Sequence, residues 1–196
     1  VPEGCEVVTS ADAVAALVQP GERVLCLGGR GLASALAGAG ADVADAGDPT
    51  TAGTSFDALV VGLDRDVDYG RIDRAAAAVR GGARFLASNA DATFPGAAGI
   101  HPGCGAIVAA VATAAGRPAD VAGKPHGPMA DLLRARCPDG GVVVGDRPDT
   151  DGRLAERLGW PFGLVLSGIT TRADLPVDVP IAAVADDLAA LVATDW

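Results

Sequence analysis

The stretch VVVGDRPDTDG, residues 142–152, leads from an apolar run into acids at 146, 149 and 151. Asp146 falls where a buried strand should stop, and open α/β sheets gather their ligands at the carboxyl ends of their strands. Asp151 follows across a loop that can turn both carboxylates towards one point. Hard oxygen donors converging in this way suit Mg2+. Capping is the competing use: Asp149 or Asp151 could accept the orphan N–H groups of the next helix. Thr150 could cap equally well, which leaves Asp151 for other work. The second group lies in VAGKPHGPM, residues 121–129, where Lys124 is the only lysine of the chain. A compact ammonium suits a phosphoryl oxygen, or holds a carboxylate nucleophile ionised. An exposed, solubilising lysine is the alternative. His126 reads as a turn residue or a substrate-side contact.

Weaker signals lie upstream. Asn89 and Asp91, with Pro95 behind them, end a strand as turn formers or as a substrate-facing loop. LGGRG at 27–31 resembles a strand-to-helix turn but lacks full dinucleotide spacing and an acidic partner at the right distance. His101, in IHPGCG, has no Cys/His pattern around it. A Gly-x-Ser-x-Gly elbow, a Walker loop and a Cys-x-x-Cys pair are all missing.

The elements that must position these groups alternate along the chain. Apolar runs at 22–29, 56–64, 83–91, 140–146 and 162–168 read as strands. Helical periodicity occupies 31–40, 72–82, 105–116, 128–137 and 150–159. A last helix over 181–192 places Val184, Leu188, Leu191 and Val192 on one face. Short links between strand and helix predict α/β structure, with a mostly parallel sheet covered on both faces. Glycine and proline accumulate near 98–106, which suggests a boundary there.

Composition bounds the rest. Apolar residues make up 49 % of the 196, enough for a core, but with four Phe, two Trp and one Tyr it must be built from Val, Leu, Ile and Ala. The formal charge of -10, with no basic run, excludes a nucleic-acid binder, which needs several cationic contacts. It does not exclude a small anionic substrate, because local dipoles and a metal can invert the field in one cleft. The cysteines at 5, 26, 104 and 137 lack metal-ligand spacing and read as buried free thiols, favouring a reducing, cytoplasmic compartment. No apolar stretch has the length of a membrane span, and no signal peptide is visible.

Taken in order, GLDRDVDY (62–69), ASNADATFP (87–95), HPGCGAIVAAV (101–111), GKP (123–125) and VVGDRPDTD (143–151) resemble the haloacid-dehalogenase-like hydrolases with a large α/β cap. That branch contains 4-nitrophenylphosphatase-like, phosphoglycolate and glycerol-phosphate phosphatases. The resemblance implies a Rossmann-like parallel core, incomplete here, with a second α/β domain as its cap. Residues 1–11 would be residual core or linker, 12–100 the cap, and 101–196 the C-terminal part of the catalytic core. It assigns catalysis to Lys124, Mg2+ binding to Asp146 and Asp151, and substrate contacts to Asn89, Asp91 and Lys124. The substrate would be a small phosphate monoester, with no nucleic acid or membrane as partner.

One departure is large. The family opens with Asp-x-Asp-Gly on the first core strand, which supplies the aspartyl nucleophile, whereas this sequence begins VPEGCEVVTSADAV. The expectation is therefore an Mg2+-dependent phosphatase that is inactive as these 196 residues alone. A missing N-terminal segment or a homo-oligomer would complete it. The alternative is a non-catalytic binding module, or a subunit that needs a partner segment.

Overall fold

Three of the apolar runs become central strands of one parallel sheet in the first half of the chain. The computed structural model describes residues 4–96 and 98–194. Contacts divide the chain into two units, Val1–Gly123 and Lys124–Trp196.

The first unit contains α1 (Ser10–Ala15), β1 (Arg23–Leu27), α2 (Arg30–Gly38), β2 (Asp42–Asp45), β3 (Ala58–Val61), α3 (Tyr69–Arg80) and β4 (Arg84–Ala87). An antiparallel hairpin, β5 (Thr93–Gly96) and β6 (Gly99–Pro102), then leads into α4 (Cys104–Ala115) and β7 (Asp120–Val121). The five-stranded sheet has the order β2-β1-β3-β4-β7, and every pairing in it is parallel. Leu25, Leu27, Leu59, Val61, Phe85 and Ala87 pack with Ala75 and Val79 of α3 and with Ile107, Val108 and Val111 of α4. The alternate residues Val24, Cys26, Val60 and Leu86 are buried too, so both sheet faces are covered. This is why the strands read as unbroken apolar runs. Phe85 is the largest side chain of this core and fully buried. Phe85→Ala is expected to destabilise the unit by about 3–5 kcal/mol, measured by urea unfolding.

The second unit contains α5 (Gly127–Arg136), β8 (Val143–Gly145), α6 (Arg153–Leu158), β9 (Phe162–Val165), β10 (Ala183–Ala185) and α7 (Leu188–Val192). A π-type turn over Pro148–Gly152 joins β8 to α6. The parallel sheet has the order β10-β9-β8, with β8 at one edge. Val142, beside β8, and Val144, within it, are 48 % and 39 % exposed.

Four features depart from the sequence expectations. The accumulation of glycine and proline near 98–106 is no boundary between these units. Its residues form the β5–β6 hairpin and the start of α4, which packs on α3, while β7 pairs with β4. Strand β2 was not expected, because DVAD is half-exposed at the sheet edge and carries no apolar run. The expected final helix is split: Ala183–Ala185 pairs with β9, and Asp187 then caps α7 through the Ala190 N–H at 2.8 Å. Of its predicted apolar face only Leu191 is buried; Val184, Leu188 and Val192 are exposed.

The cysteines split into two classes. All four are free, with Cys26 and Cys104 buried and Cys5 and Cys137 exposed, so the buried-thiol reading holds for half of them. Burial pushes the Cys26 thiol up to about 12, with the negative charges of Asp45 and Asp64 adding to the effect and Arg71 opposing it. Below that pH the folded thiol stays neutral, whereas an unfolded one ionises from about pH 8.5. Cys26 therefore subtracts stability as pH rises from about 8.5 towards 12. With iodoacetamide at pH 8, Cys5 and Cys137 are expected to be alkylated in the native protein, and Cys26 and Cys104 only after unfolding.

Candidate active site

Lys124 is the first residue of the second unit and lies two residues before His126, the N-cap of α5. Its ammonium meets Asp151 Oδ1 at 2.6 Å. The Asp151 side chain is 7 % exposed and that of Lys124 is 48 % exposed. The carboxylate is thus sunk into the protein while the cation keeps one side open. The other oxygen of Asp151, Oδ2, accepts the Arg147 backbone N–H at 3.2 Å. The π-type turn makes this geometry: Thr150, Asp151 and Gly152 all direct backbone N–H groups at the Arg147 carbonyl. That folds Asp151 back beneath the end of β8. A Cβ on Gly145, the last residue of β8, would overlap the Asp151 carboxylate, so only glycine admits it.

Asp146 is fixed by a different neighbour. Its Oδ2 accepts the Ile169 N–H at 2.7 Å, and its carbonyl accepts Thr170 N–H at 3.2 Å. The loop after β9 therefore grips the residue after β8. A Cβ on Gly168 would overlap the Asp146 carboxylate. Gly145, Gly168 and the Ile169 N–H were not singled out in the sequence. The glycines of VVGD and LSGI were the available signal, but nothing local distinguishes them from ordinary turn glycines.

The predicted site residues are partly brought together. Lys124 and Asp151 form one ion pair, and Asp146 lies at the end of β8, on the strand that leads into the Asp151 turn. Asp149 stays outside, 70 % exposed, with Arg147 Nη2 at 3.6 Å. Residues 149–152 spell Asp-x-Asp-Gly, yet they lie in the π-type turn past the end of a strand, with Asp151 already held by Lys124. Asn89 and Asp91 belong to the first unit. Asn89 Oδ1 accepts the Asp91 N–H at 3.2 Å, a turn-forming contact. The Asp91 carbonyl accepts the Gly105 N–H at 2.9 Å at the start of α4. Cβ atoms on Gly103 or Gly105 would strike the carbonyls of Asp91 and Ala90, which accounts for both glycines of HPGCG.

Among the described residues no group of three or more His, Cys, Asp or Glu side chains is placed to hold a metal ion. Mg2+ commonly takes one or two protein carboxylates and completes its octahedron with water and substrate phosphate. On that measure Asp146 fits as a single anchor, with one oxygen oriented by Ile169 and the second left for a cation. Asp151 already accepts one hydrogen bond on each oxygen, from Lys124 and from the Arg147 N–H, so its first task here is to hold the lysine.

Similarity to known proteins identifies the family. The HAD-hydrolase-like family model matches residues 121–191. An acid sugar phosphatase of Staphylococcus saprophyticus is 34 % identical over 185 residues, spanning 89 % of this chain and 67 % of the relative. The chain belongs to the HAD-like hydrolases. A D-glycerol 3-phosphate phosphatase of Mycobacterium tuberculosis is 37 % identical over 183 residues, 91 % of this chain and 50 % of the relative. The crystal structure of a glycerol phosphate phosphatase from M. tuberculosis in complex with magnesium superposes with a TM-score of 0.83 at 36 % identity, over 94 % of this chain and 57 % of that one. This HAD-like chain thus spans half to two-thirds of the length of such relatives, and its α/β architecture agrees with theirs. No helix among the described residues is long and apolar enough to cross a membrane.

Proposed function

We propose that this chain is the lysine-bearing part of a phosphatase that acts on small phosphate monoesters with the help of Mg2+. The observation that carries the reading is the Lys124–Asp151 pair at 2.6 Å, with the buried partner being the acid. A buried carboxylate that clamps a half-open ammonium leaves that ammonium aimed and stationary. Transfer of a phosphoryl group asks for little else from a protein than such positioned charge.

In this reading Lys124 offsets negative charge on the phosphoryl oxygens as the ester bond breaks. Asp151 orients Lys124. Asp146, one oxygen of which is oriented by the Ile169 N–H, would hold the cation. Bound Mg2+ would supply further charge neutralisation at the same oxygens. Asn89 and Asp91 organise the loop after β4 in the first unit, which is proposed, as a cap, to select the leaving group. The family resemblance assigns the attacking carboxylate to an Asp-x-Asp-Gly strand ahead of the cap. The proposal therefore concerns a protein that carries that strand as well as these 196 residues.

The test is release of inorganic phosphate from glycerol 3-phosphate, phosphoglycolate, sugar phosphates and 4-nitrophenyl phosphate. Protein that includes the opening strand is expected to turn over at least one of them, and to stop when EDTA removes Mg2+. The 196 residues alone are expected to give no turnover. A folded protein with the opening strand that stays silent across the panel would overturn the proposal.

A further inference from the structure

A cavity of about 400 Å3 opens in the first unit between α2 and the edge strand β2. Ala33 and Ala37 of α2 and Val43 of β2 are its apolar lining, and Arg30 and Asp45 are its charged lining. Arg30, Ala33 and Ala37 are spaced three and four residues apart, which puts them on one face of the helix. The place follows from the topology. Strand β1 pairs with β2 on one side and with β3 on the other, so the connections part beside β1. Open α/β sheets take their ligands at the carboxyl ends of the strands where connections part in this way. Asp45 is the last residue of β2, and Arg30 begins α2 just past the end of β1.

The turn LGGRG at 27–31 thereby gains the acid that its sequence spacing lacks. In such sheets an acid that ends the strand after a glycine turn and helix receives ribose hydroxyls. Asp45 is held for that task. Its Oδ1 accepts the Gly47 N–H at 2.7 Å and Arg71 Nη1 at 3.1 Å, and no hydrogen bond to Oδ2 is found among the described residues. A Cβ at position 47 would strike the Arg71 guanidinium, so glycine there both donates to Asp45 and makes room for its partner. Arg30 is exposed and enters no ion pair among the described residues. An open carboxylate oxygen, a guanidinium without a carboxylate and a small apolar slot thus share one cavity.

We infer that this cavity binds a ribonucleoside monophosphate, its ribose diol on Asp45 Oδ2, its phosphate on Arg30 and its base against Ala33, Ala37 and Val43. From the carboxyl edge inward the lining runs Arg30, Asp45, Val43, which is the order phosphate, ribose, base. Hydroxyls that donate to an ionised carboxylate make stronger bonds than neutral pairs do, and a guanidinium matches phosphate oxygens with its planar fork. The base needs only the apolar slot. Inorganic phosphate has Arg30 alone to hold it and is the poorer match. The net charge of -10 opposes any anion at long range, so affinity comes from these local contacts. This goes beyond the phosphatase reading, because the nucleotide is here a ligand of the first unit and uses none of Lys124, Asp146 and Asp151.

The experiment is a 15N-NMR titration of the 196-residue chain with AMP, with 2′-deoxy-AMP and adenosine as the probes that lack one hydroxyl or the phosphate. AMP is expected to shift the amides of residues 30–37 and 43–47 saturably, with each of the other two about tenfold weaker. Asp45→Asn should abolish the preference for AMP over 2′-deoxy-AMP, and Arg30→Met the preference for AMP over adenosine. These ratios are read within each folded variant, so a general loosening of the site does not mimic them. Equal affinity for 2′-deoxy-AMP, either preference surviving in its folded variant, or the absence of saturable shifts would each overturn the inference. Shifts confined to residues 124–151 would overturn it too, by assigning the nucleotide to the phosphatase site.

Discussion

Lys124→Met in the complete protein is expected to lower kcat/KM for phosphate monoesters by about 100- to 1,000-fold, the usual effect of removing one preorganised charge from a reaction centre. The same substitution leaves Asp151 with only the Arg147 N–H at 3.2 Å, in a position where its side chain is 7 % exposed. A stability loss of about 1–3 kcal/mol should accompany the loss of activity. The two effects separate in the double variant. Lys124→Met with Asp151→Asn removes the stranded charge and should recover most of the stability but none of the rate. Asp151→Asn alone keeps the ammonium while loosening its aim, so it should lower kcat more than it raises KM. Urea unfolding and steady-state kinetics on the three variants decide the matter. Unchanged kcat/KM in a folded Lys124→Met protein would remove the central assignment.

Gly168→Ala is expected to be nearly as damaging as Asp146→Asn, although it adds only a methyl group. The new Cβ would occupy the place of the Asp146 carboxylate, so the acid must swing away and give up the Ile169 N–H at 2.7 Å. If Asp146 anchors Mg2+, both variants should weaken the cation by about tenfold or more, because orientation of a ligating carboxylate counts nearly as much as its presence. Mg2+ dependence of phosphate release in the complete protein measures this. Gly168→Ala with wild-type Mg2+ dependence would show that the Asp146 position does not matter.

How far the sequence could be read depended on the range of each signal. Strands β1, β3, β4 and β9 were visible because they are buried on both faces and so carry consecutive apolar residues. The hairpin and β2 were hidden, since exposed strands show neither a run nor a clean alternation. The closing segment misled because AVA in a strand and LAALV in a helix, joined across Asp187, mimic one amphipathic helix. At the site, Lys124 stood out by being the chain's only lysine, and Asp146 by lying at a strand end. The partner of Lys124 was not legible. That Asp151 faces the Lys124 ammonium is decided by the π-type turn and by Gly145, and neither leaves a periodic trace.

The outer edge of β8 has a practical meaning for anyone handling this polypeptide. Among the described residues it has a sheet neighbour on one side only, and Val142 and Val144 remain half in water. Backbone donors and acceptors in that state will accept any extended peptide that presents itself. Such an edge is the place where this sheet is open to pairing with a further strand. An exposed apolar strand edge of this kind is a general aggregation hazard.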